Sequence, residues 1–348
     1  MNKISRGRAY EVTGSLMLLV ISLVFALILA EYIFRAVKEI QWRRASKHWQ
    51  HELYAPLPDS PLEYELHREA FRENRIPDTG QTWQYRTNTH GFRGEDFDPR
   101  DNRKRVLFIG DSYTFGWAVN QDEVLTEYVE QVLAQPPYGL EINAYNLGVP
   151  GYNTVQEYHL LNKVIEHYAA DLVVLGYVMN DGEPQQNVPV RPSIRYKYVS
   201  SWLLAYIKDN LNHYIFNGDS ILESGINLNT KYLLAAKENG PKWAEGRQAF
   251  TDMVALCHSR GIPFLVVIHP DYTKPFGDRY PYRMIHEEVS SWADEQQVTV
   301  VDMLEHIKDK NNKNYNVEGD GHPNGRAFSE TAQVIAPLIY GYLEGAAP

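Results

Sequence analysis

Apolar and polar positions divide this chain into three stretches. From Val12 to Ala30, nineteen residues pass without a charge, and most are Leu, Val, Ile, Ala or Phe. At 1.5 Å per residue that run covers roughly the hydrocarbon thickness of a bilayer, about 30 Å, and Tyr32, Ile33 and Phe34 extend it. Residues 62–104 are polar and aromatic, with turn signals at Thr89-His90-Gly91 and Asp98-Pro99. From Arg105 onward short apolar runs alternate with amphipathic ones. Strands are predicted at Val106–Ile109, Glu141–Leu147, Asp171–Val178, Ile262–Ile268 and Val298–Val301. Helices are predicted at Asp122–Ala134, Thr154–Tyr168, Lys242–Arg260, Tyr282–Gln296 and Gly325–Leu343. Such alternation implies a three-layer α/β/α fold around a mostly parallel sheet.

The predicted organisation is a basic tail (1–11), a transmembrane anchor (12–34), a juxtamembrane helix with a Pro-rich linker (35–62), an irregular extension (63–104) and the main domain (105–345). Residues 182–240 interrupt that domain. Within them Trp202, Leu203, Tyr206, Ile207, Leu211, Tyr214 and Ile215 recur at near-helical spacing. That pattern reads as a helix packed on the domain or, more sharply, as a lid over its site.

Charge changes the picture. The chain of 348 residues carries −10 overall. Residues 1–50 hold eight Lys or Arg against three Glu; the remaining 26 basic and 41 acidic residues leave the body at −15. An acidic body argues against a nucleic-acid partner. The basic, apolar front suits a retained membrane anchor better than a cleaved signal, because Ile28 stands where a cleavage site needs a small residue. Positive charges flanking the span slightly favour a cytoplasmic body. The single cysteine, Cys257, excludes an internal disulfide and a cysteine-based zinc site.

Ligands of open parallel sheets bind at the carboxyl ends of the strands, so the residues just after each apolar run are the informative ones. They are Gly110-Asp111-Ser112, then Asn146-Leu147-Gly148, then Met179-Asn180-Asp181, and, ahead of the last helix, Asp320-Gly321-His322-Pro323-Asn324. Acyl transfer needs such a set. A serine hydroxyl is a weak nucleophile until a base stands within hydrogen-bond reach, and His322 is the candidate. Asp320 is placed to orient the imidazole. The Ser112 N–H, the Gly148 N–H and the Asn180 amide are candidate donors to an oxyanion. His269-Pro270-Asp271 ends the fourth strand at the same rim and reads as a structural loop or a wall of the pocket. No His-Glu-x-x-His, no Gly-Lys-Ser/Thr after a glycine loop and no Gly-x-Ser-x-Gly elbow occurs. Neither a metal nor another cofactor is therefore expected.

Together these four blocks resemble the SGNH (GDSL-type) esterase and acyltransferase superfamily over about residues 105–345. Asn88-Thr89-His90-Gly91-Phe92-Arg93 is also similar to an Asn-x-x-Gly-Phe-Arg stretch ahead of the first block in membrane-anchored bacterial members. The resemblance implies Ser112 as nucleophile, Ser112 N–H, Gly148 and Asn180 as oxyanion hole, and His322 as base. One departure stands out: the family's acid lies three residues before the histidine, where this chain has Gly319. Asp320 is preferred over Glu318 because its glycine neighbours let the loop turn its carboxylate to the ring; a dyad without an acid is the alternative. The implied function is an anchored serine esterase that removes an O-acyl group, acetyl foremost, from a glycan or lipid-linked substrate. An O-acyltransferase with the same residues and a catalytically silent envelope scaffold are the competing readings. Envelope substrates imply a single-pass protein of the bacterial inner membrane with its body in the periplasm or outside, against the charge count. A membrane-protein partner is left open.

Overall fold

A computed structural model describes residues 3–49, 53–57, 60–76, 78–179, 181, 200–204, 206–207 and 241–345. The chain forms two compact units, one of Met1–His48 with Pro189–Gly225 and one of Trp49–Val188 with Ile226–Pro348.

The first unit is built on helix α1, Lys3–Trp49. Its stretch Ser15–Gln41 is long and apolar enough to cross a membrane, or to act as a signal sequence, its most apolar 18 residues having a mean hydropathy of 2.6. Leu16 to Leu29 are exposed on every side of the helix. Of the insertion 182–240, only 200–204 and 206–207 are described, and these pack on α1. There Trp202 and Tyr206 meet Arg35, Phe34 and Lys38 of α1. The rest of Tyr198–Phe216 lies outside the described residues.

The second unit opens with two small sheets. Strands β1 (Tyr54–Leu57) and β2 (Glu63–Leu66) pair antiparallel, as do β3 (Phe71–Arg75) and β4 (Thr82–Arg86). The expected juxtamembrane helix is the end of α1, whereas strands stand where the Pro-rich linker (Ala55–Pro61) and the irregular extension (63–104) were expected. Pro56 is tolerated because β1 belongs to a two-stranded sheet, where one N–H is dispensable. In β4 the strict alternation buries Trp83 and Tyr85 and leaves Thr82, Gln84 and Arg86 exposed. These segments are tied to the main domain. Tyr64 donates to Pro150 O (3.0 Å), Tyr152 donates to Tyr64 O, and Gln156 Nε2 donates to Leu62 O (3.0 Å).

The central sheet has five parallel strands, β5 (Lys104–Gly110), β6 (Ile142–Gly148), β7 (Leu172–Tyr177), β8 (Phe264–Ile268) and β9 (Thr299–Asp302), in the order β6-β5-β7-β8-β9. All five predicted strands are present, with ends moved by at most two residues. Val106–Ile109, Leu172–Leu175 and Leu265–Val267 are virtually without solvent contact, as strands covered on both faces require. Helix α2 (Ser112–Phe115) follows β5 directly. Helices α3 (Leu125–Ala134) and α4 (Thr154–Tyr168) make the crossovers from β5 to β6 and from β6 to β7. Those crossovers run in opposite directions across the sheet, so right-handed connections put α3 and α4 on opposite faces. Helix α5 (Pro241–His258) packs on α4; α6 (Arg283–Glu295) packs on β9; the short α7 (Met303–Ile307) follows β9; α8 (Gly325–Leu343) packs on α3. The chain reverses direction at the carboxyl end of β5, the position where open sheets form their ligand crevice.

Candidate active site

The Gly110-Asp111-Ser112 turn stands at that reversal. Asp111 is fully buried and caps α2, its carboxylate accepting the Tyr113 N–H at 2.8 Å. Ser112 opens the helix, so its own N–H is one of the donors that have no partner within the helix. The Ser112 Oγ lies 2.9 Å from His322 Nε2, across 210 positions of sequence.

His322 is carried by a tight loop between β9 and α8. Asn316 bridges to Pro323, Val317 N–H donates to His322 O (2.8 Å), and Asn324 caps α8 through the Ala327 N–H. Gly319 and Gly321 both have left-handed backbones (φ +79° and +93°), a conformation that side-chain-bearing residues avoid. This turn brings Asp320 Oδ1 to 2.5 Å from His322 Nδ1 and 3.2 Å from the His322 N–H. Burial raises the Asp320 pKa, but the bonds from His322 and from the Trp117 side chain outweigh it and hold the carboxyl below its ordinary range. Asp320 therefore stays ionised, as an acceptor facing the imidazole. The rings of Tyr113 and Trp117 flank His322, with centroids 5.4 and 6.2 Å from its own.

Gly148 stands beside the Gly110-Asp111-Ser112 turn, in register with Gly110. A Cβ there would lie 2.2 Å from Phe115 N and 2.7 Å from Phe115 Cα, so glycine is dictated by the close approach of α2. Its N–H already donates to Asn146 Oδ1 at 3.1 Å, while Asn146 Nδ2 donates to Phe115 O at 3.3 Å. Residue type and spacing carried no sign of this partner. Asn180, the third candidate donor, lies outside the described residues. Its neighbour Asp181 is buried and accepts the Val178 N–H at 2.6 Å. Glu157 of α4 is fully buried, and neither of its oxygens has a hydrogen-bond partner among the described residues. Burial, reinforced by the Asp111 charge, pushes its pKa well up; burial and the charges of Glu157 and Asp111 do the same for Asp181.

Arg93, the last residue of the Asn88–Arg93 motif, supports α2 from below. It is 1% exposed. Its guanidinium donates to the carbonyls of Phe115 (3.2 Å), Gly116 (2.5 Å) and Val119 (2.8 Å) and to Gln121 Oε1 (3.0 Å). Its carbon also lies 5.1 Å from the Phe115 ring centroid. Burial brings its pKa down to about 9, which leaves it charged at neutral pH. His269 is different. Burial and the neighbouring His286 depress it to about 4, and it packs neutral beneath Tyr113, 1% exposed, so it is a core residue and no pocket wall. Among the described residues no group of three or more His, Cys, Asp or Glu is arranged to hold a metal ion.

A serine hydroxyl, an imidazole and a carboxylate in one hydrogen-bonded line, at the carboxyl edge of a parallel sheet, define the serine-hydrolase class. Within that class the chain belongs to the GDSL-like lipase/acylhydrolase family, whose model matches residues 108–327. No curated protein sequence matches it significantly. Solved structures with a similar fold include a G-D-S-L family lipolytic protein from Desulfitobacterium hafniense DCB-2 (15% identity, covering 68% of this chain and 99% of that one, TM-score 0.43). The psychrotrophic esterase EstA from Pseudoalteromonas sp. is 14% identical (69% and 99% covered, TM-score 0.42). The lipase/acylhydrolase from Enterococcus faecalis is 16% identical (68% and 96% covered, TM-score 0.42).

Proposed function

We propose that Ser112 is the nucleophile of a two-step acyl transfer, with His322 as general base and acid and Asp320 as the group that orients the imidazole. The carrying observation is the 2.9 Å contact between Ser112 Oγ and His322 Nε2, backed by Asp320 on the other ring nitrogen. As Oγ bonds to the ester carbonyl carbon, its proton passes to Nε2. The resulting oxyanion is received by the Ser112 N–H, the Gly148 N–H and the Asn180 amide, the Gly148 donor turning from Asn146 towards the substrate. His322 then protonates the departing alkoxide, and the alcohol leaves an acyl-Ser112 ester. Water, deprotonated by the same imidazole, releases the acid and restores the serine.

The substrate reading is an O-acyl, foremost O-acetyl, ester on a glycan or lipid-linked sugar. It is supported by the half-buried ring of Trp117 beside His322, which suits a sugar ring, and by the apolar α1, which suits work at a membrane. The body is assigned to the periplasm or exterior of a bacterial inner membrane. Fluorophosphonate labelling of the full chain, lost in Ser112→Ala, tests the nucleophile; no labelling of folded protein favours the scaffold reading. Mass spectrometry of products from an acetylated oligosaccharide tests the rest. Free acetate supports the hydrolase, an acetylated second sugar supports the transferase, and an untouched oligosaccharide with p-nitrophenyl acetate cleaved removes the glycan.

A further inference from the structure

Glu31 interrupts the apolar face of α1, yet its carboxylate is fully engaged. Oε1 accepts from Arg35 Nε (2.6 Å) and from the Trp202 N–H (2.8 Å); Oε2 accepts from the Ser201 hydroxyl (2.8 Å) and the Leu203 N–H (3.0 Å). The last three donors belong to the insertion, and the two N–H groups open its helical turn at 202–204, the free donors that a carboxylate satisfies at a helix start. Two cations lock the rest. Arg35 lies 4.9 Å over the Trp202 ring and donates to Ser200 O (2.9 Å), and Lys38 lies 4.1 Å over the Tyr206 ring, which also meets Phe34 at 5.1 Å.

The covered side of α1 follows from these contacts. Ala30, Glu31, Phe34, Arg35, Lys38 and Glu39 are half-buried at helical spacing, whereas Tyr32, Ile33, Val37 and Ile40 are exposed. The docked segment turns apolar groups outward as well: Leu204 is 65% and Ile207 47% exposed. A polar clamp with apolar side chains around its outside is the reverse of what water selects. The exposed residues continue, along the same helix, the apolar surface of Leu16–Leu29. Sixteen residues separate Ser15 from Glu31, about 24 Å of helix, which sets the clamp close to the edge of a hydrocarbon layer about 30 Å thick. Arg and Lys paired with Trp and Tyr are the side chains that favour that boundary, with apolar bodies in the acyl region and polar ends at the headgroups.

We infer that residues 200–204 and 206–207 are a second membrane contact, an interfacial segment clamped to α1 through Glu31 that places Leu204 and Ile207 in the acyl-chain boundary of a lipid bilayer. The inference rests on α1 being a membrane span, and the test separates the two. Full-length Leu204→Cys and Leu23→Cys proteins are labelled with an environment-sensitive fluorophore and reconstituted in phosphatidylcholine–phosphatidylglycerol vesicles carrying brominated acyl chains. The native Cys257 is buried, with its thiol pushed up to about 12, so the introduced thiols take the label. Bromines near the headgroup quench the Leu204 probe and bromines near the bilayer centre quench the Leu23 probe. If the Leu23 probe is quenched while the Leu204 probe is open to aqueous iodide, the inference falls and the span stands. If neither is quenched by bromine, both fall. In Glu31→Ala the Leu204 probe loses its bromine quenching and the Leu23 probe keeps it; unchanged quenching at Leu204 overturns the clamp. Ser201→Ala, which leaves the helix α1 sequence intact, gives a partial loss in the same direction.

Discussion

Arg93 Nη1 lies 2.5 Å from the carbonyl oxygen of Gly116, the residue that ends the helix begun by Ser112. The guanidinium thereby ties a strand-rich segment of the chain to the far end of the helix that Ser112 opens. Its acceptors are carbonyls and one amide oxygen, arranged for a planar fork that an ammonium cannot reproduce. Arg93→Lys is expected to lower kcat by about tenfold or more with KM little changed, and Arg93→Gln to destabilise the fold by about 3 kcal/mol as well, since several buried carbonyls lose their donor. Ester kinetics combined with urea unfolding check both.

Asp320 is two residues from the histidine, a spacing that a dyad would make irrelevant. Asp320→Asn is expected to lower kcat by about 10³-fold or more, because an amide no longer selects the tautomer with its proton on Nδ1. Glu318→Gln is expected to be neutral. Equal rates for Asp320→Asn and wild type, with His322→Ala inactive, would establish the dyad.

Glu157 is a buried acid without a counter-ion among the described residues, and its folded-state pKa is raised. The folded protein therefore holds a proton that the unfolded chain releases above about pH 4.5. Stability from this group is complete below that pH and declines as pH rises towards the folded value. Glu157→Gln removes the dependence, so relative to wild type it is expected to gain stability between pH 5 and 8, by at most about 1.4 kcal/mol per pH unit. Urea midpoints across that range decide it; parallel curves for the two proteins would show that Glu157 is ionised in the fold.

Gly148→Ala puts a methyl carbon against the backbone of Phe115, which has no flexible end to move aside. Loss of activity with a destabilisation of several kcal/mol is expected, at the upper end of about 1–3 kcal/mol for ordinary overpacking or beyond it. Asn146→Ala is milder by comparison: it frees the Gly148 N–H and removes one bond to Phe115 O. Its phosphonate labelling is expected to persist, and loss of labelling there would make Asn146 itself part of the reacting site.

Much of this was legible along the chain. The strands of the parallel sheet are continuous apolar runs because both faces are covered, and each site residue follows the end of such a run or stands in the loop ahead of the last helix. The meeting of Ser112 with His322 followed from that topology. What stayed hidden depends on contacts far apart in sequence. The alternation at Glu63–Leu66 and Thr82–Arg86 is only four or five residues long, too short to stand out beside prolines and turn signals. The partner of the Gly148 N–H is a side chain two positions earlier, whose direction is set by the backbone pairing of Arg93 with Asn146. The docking of Trp202 and Tyr206 on α1 joins segments some 170 residues apart, and helical spacing says which face is apolar but never what meets it.

The bonds from Tyr64, Tyr152, Gln156 and Arg93 also determine where this enzyme can be cut. A fragment trimmed to the family match at 108–327 would lose β5's first half, most of α8 and the whole brace behind the helix that Ser112 opens. A version freed of α1 has to start upstream of Leu53, so that both small hairpin sheets travel with the central sheet.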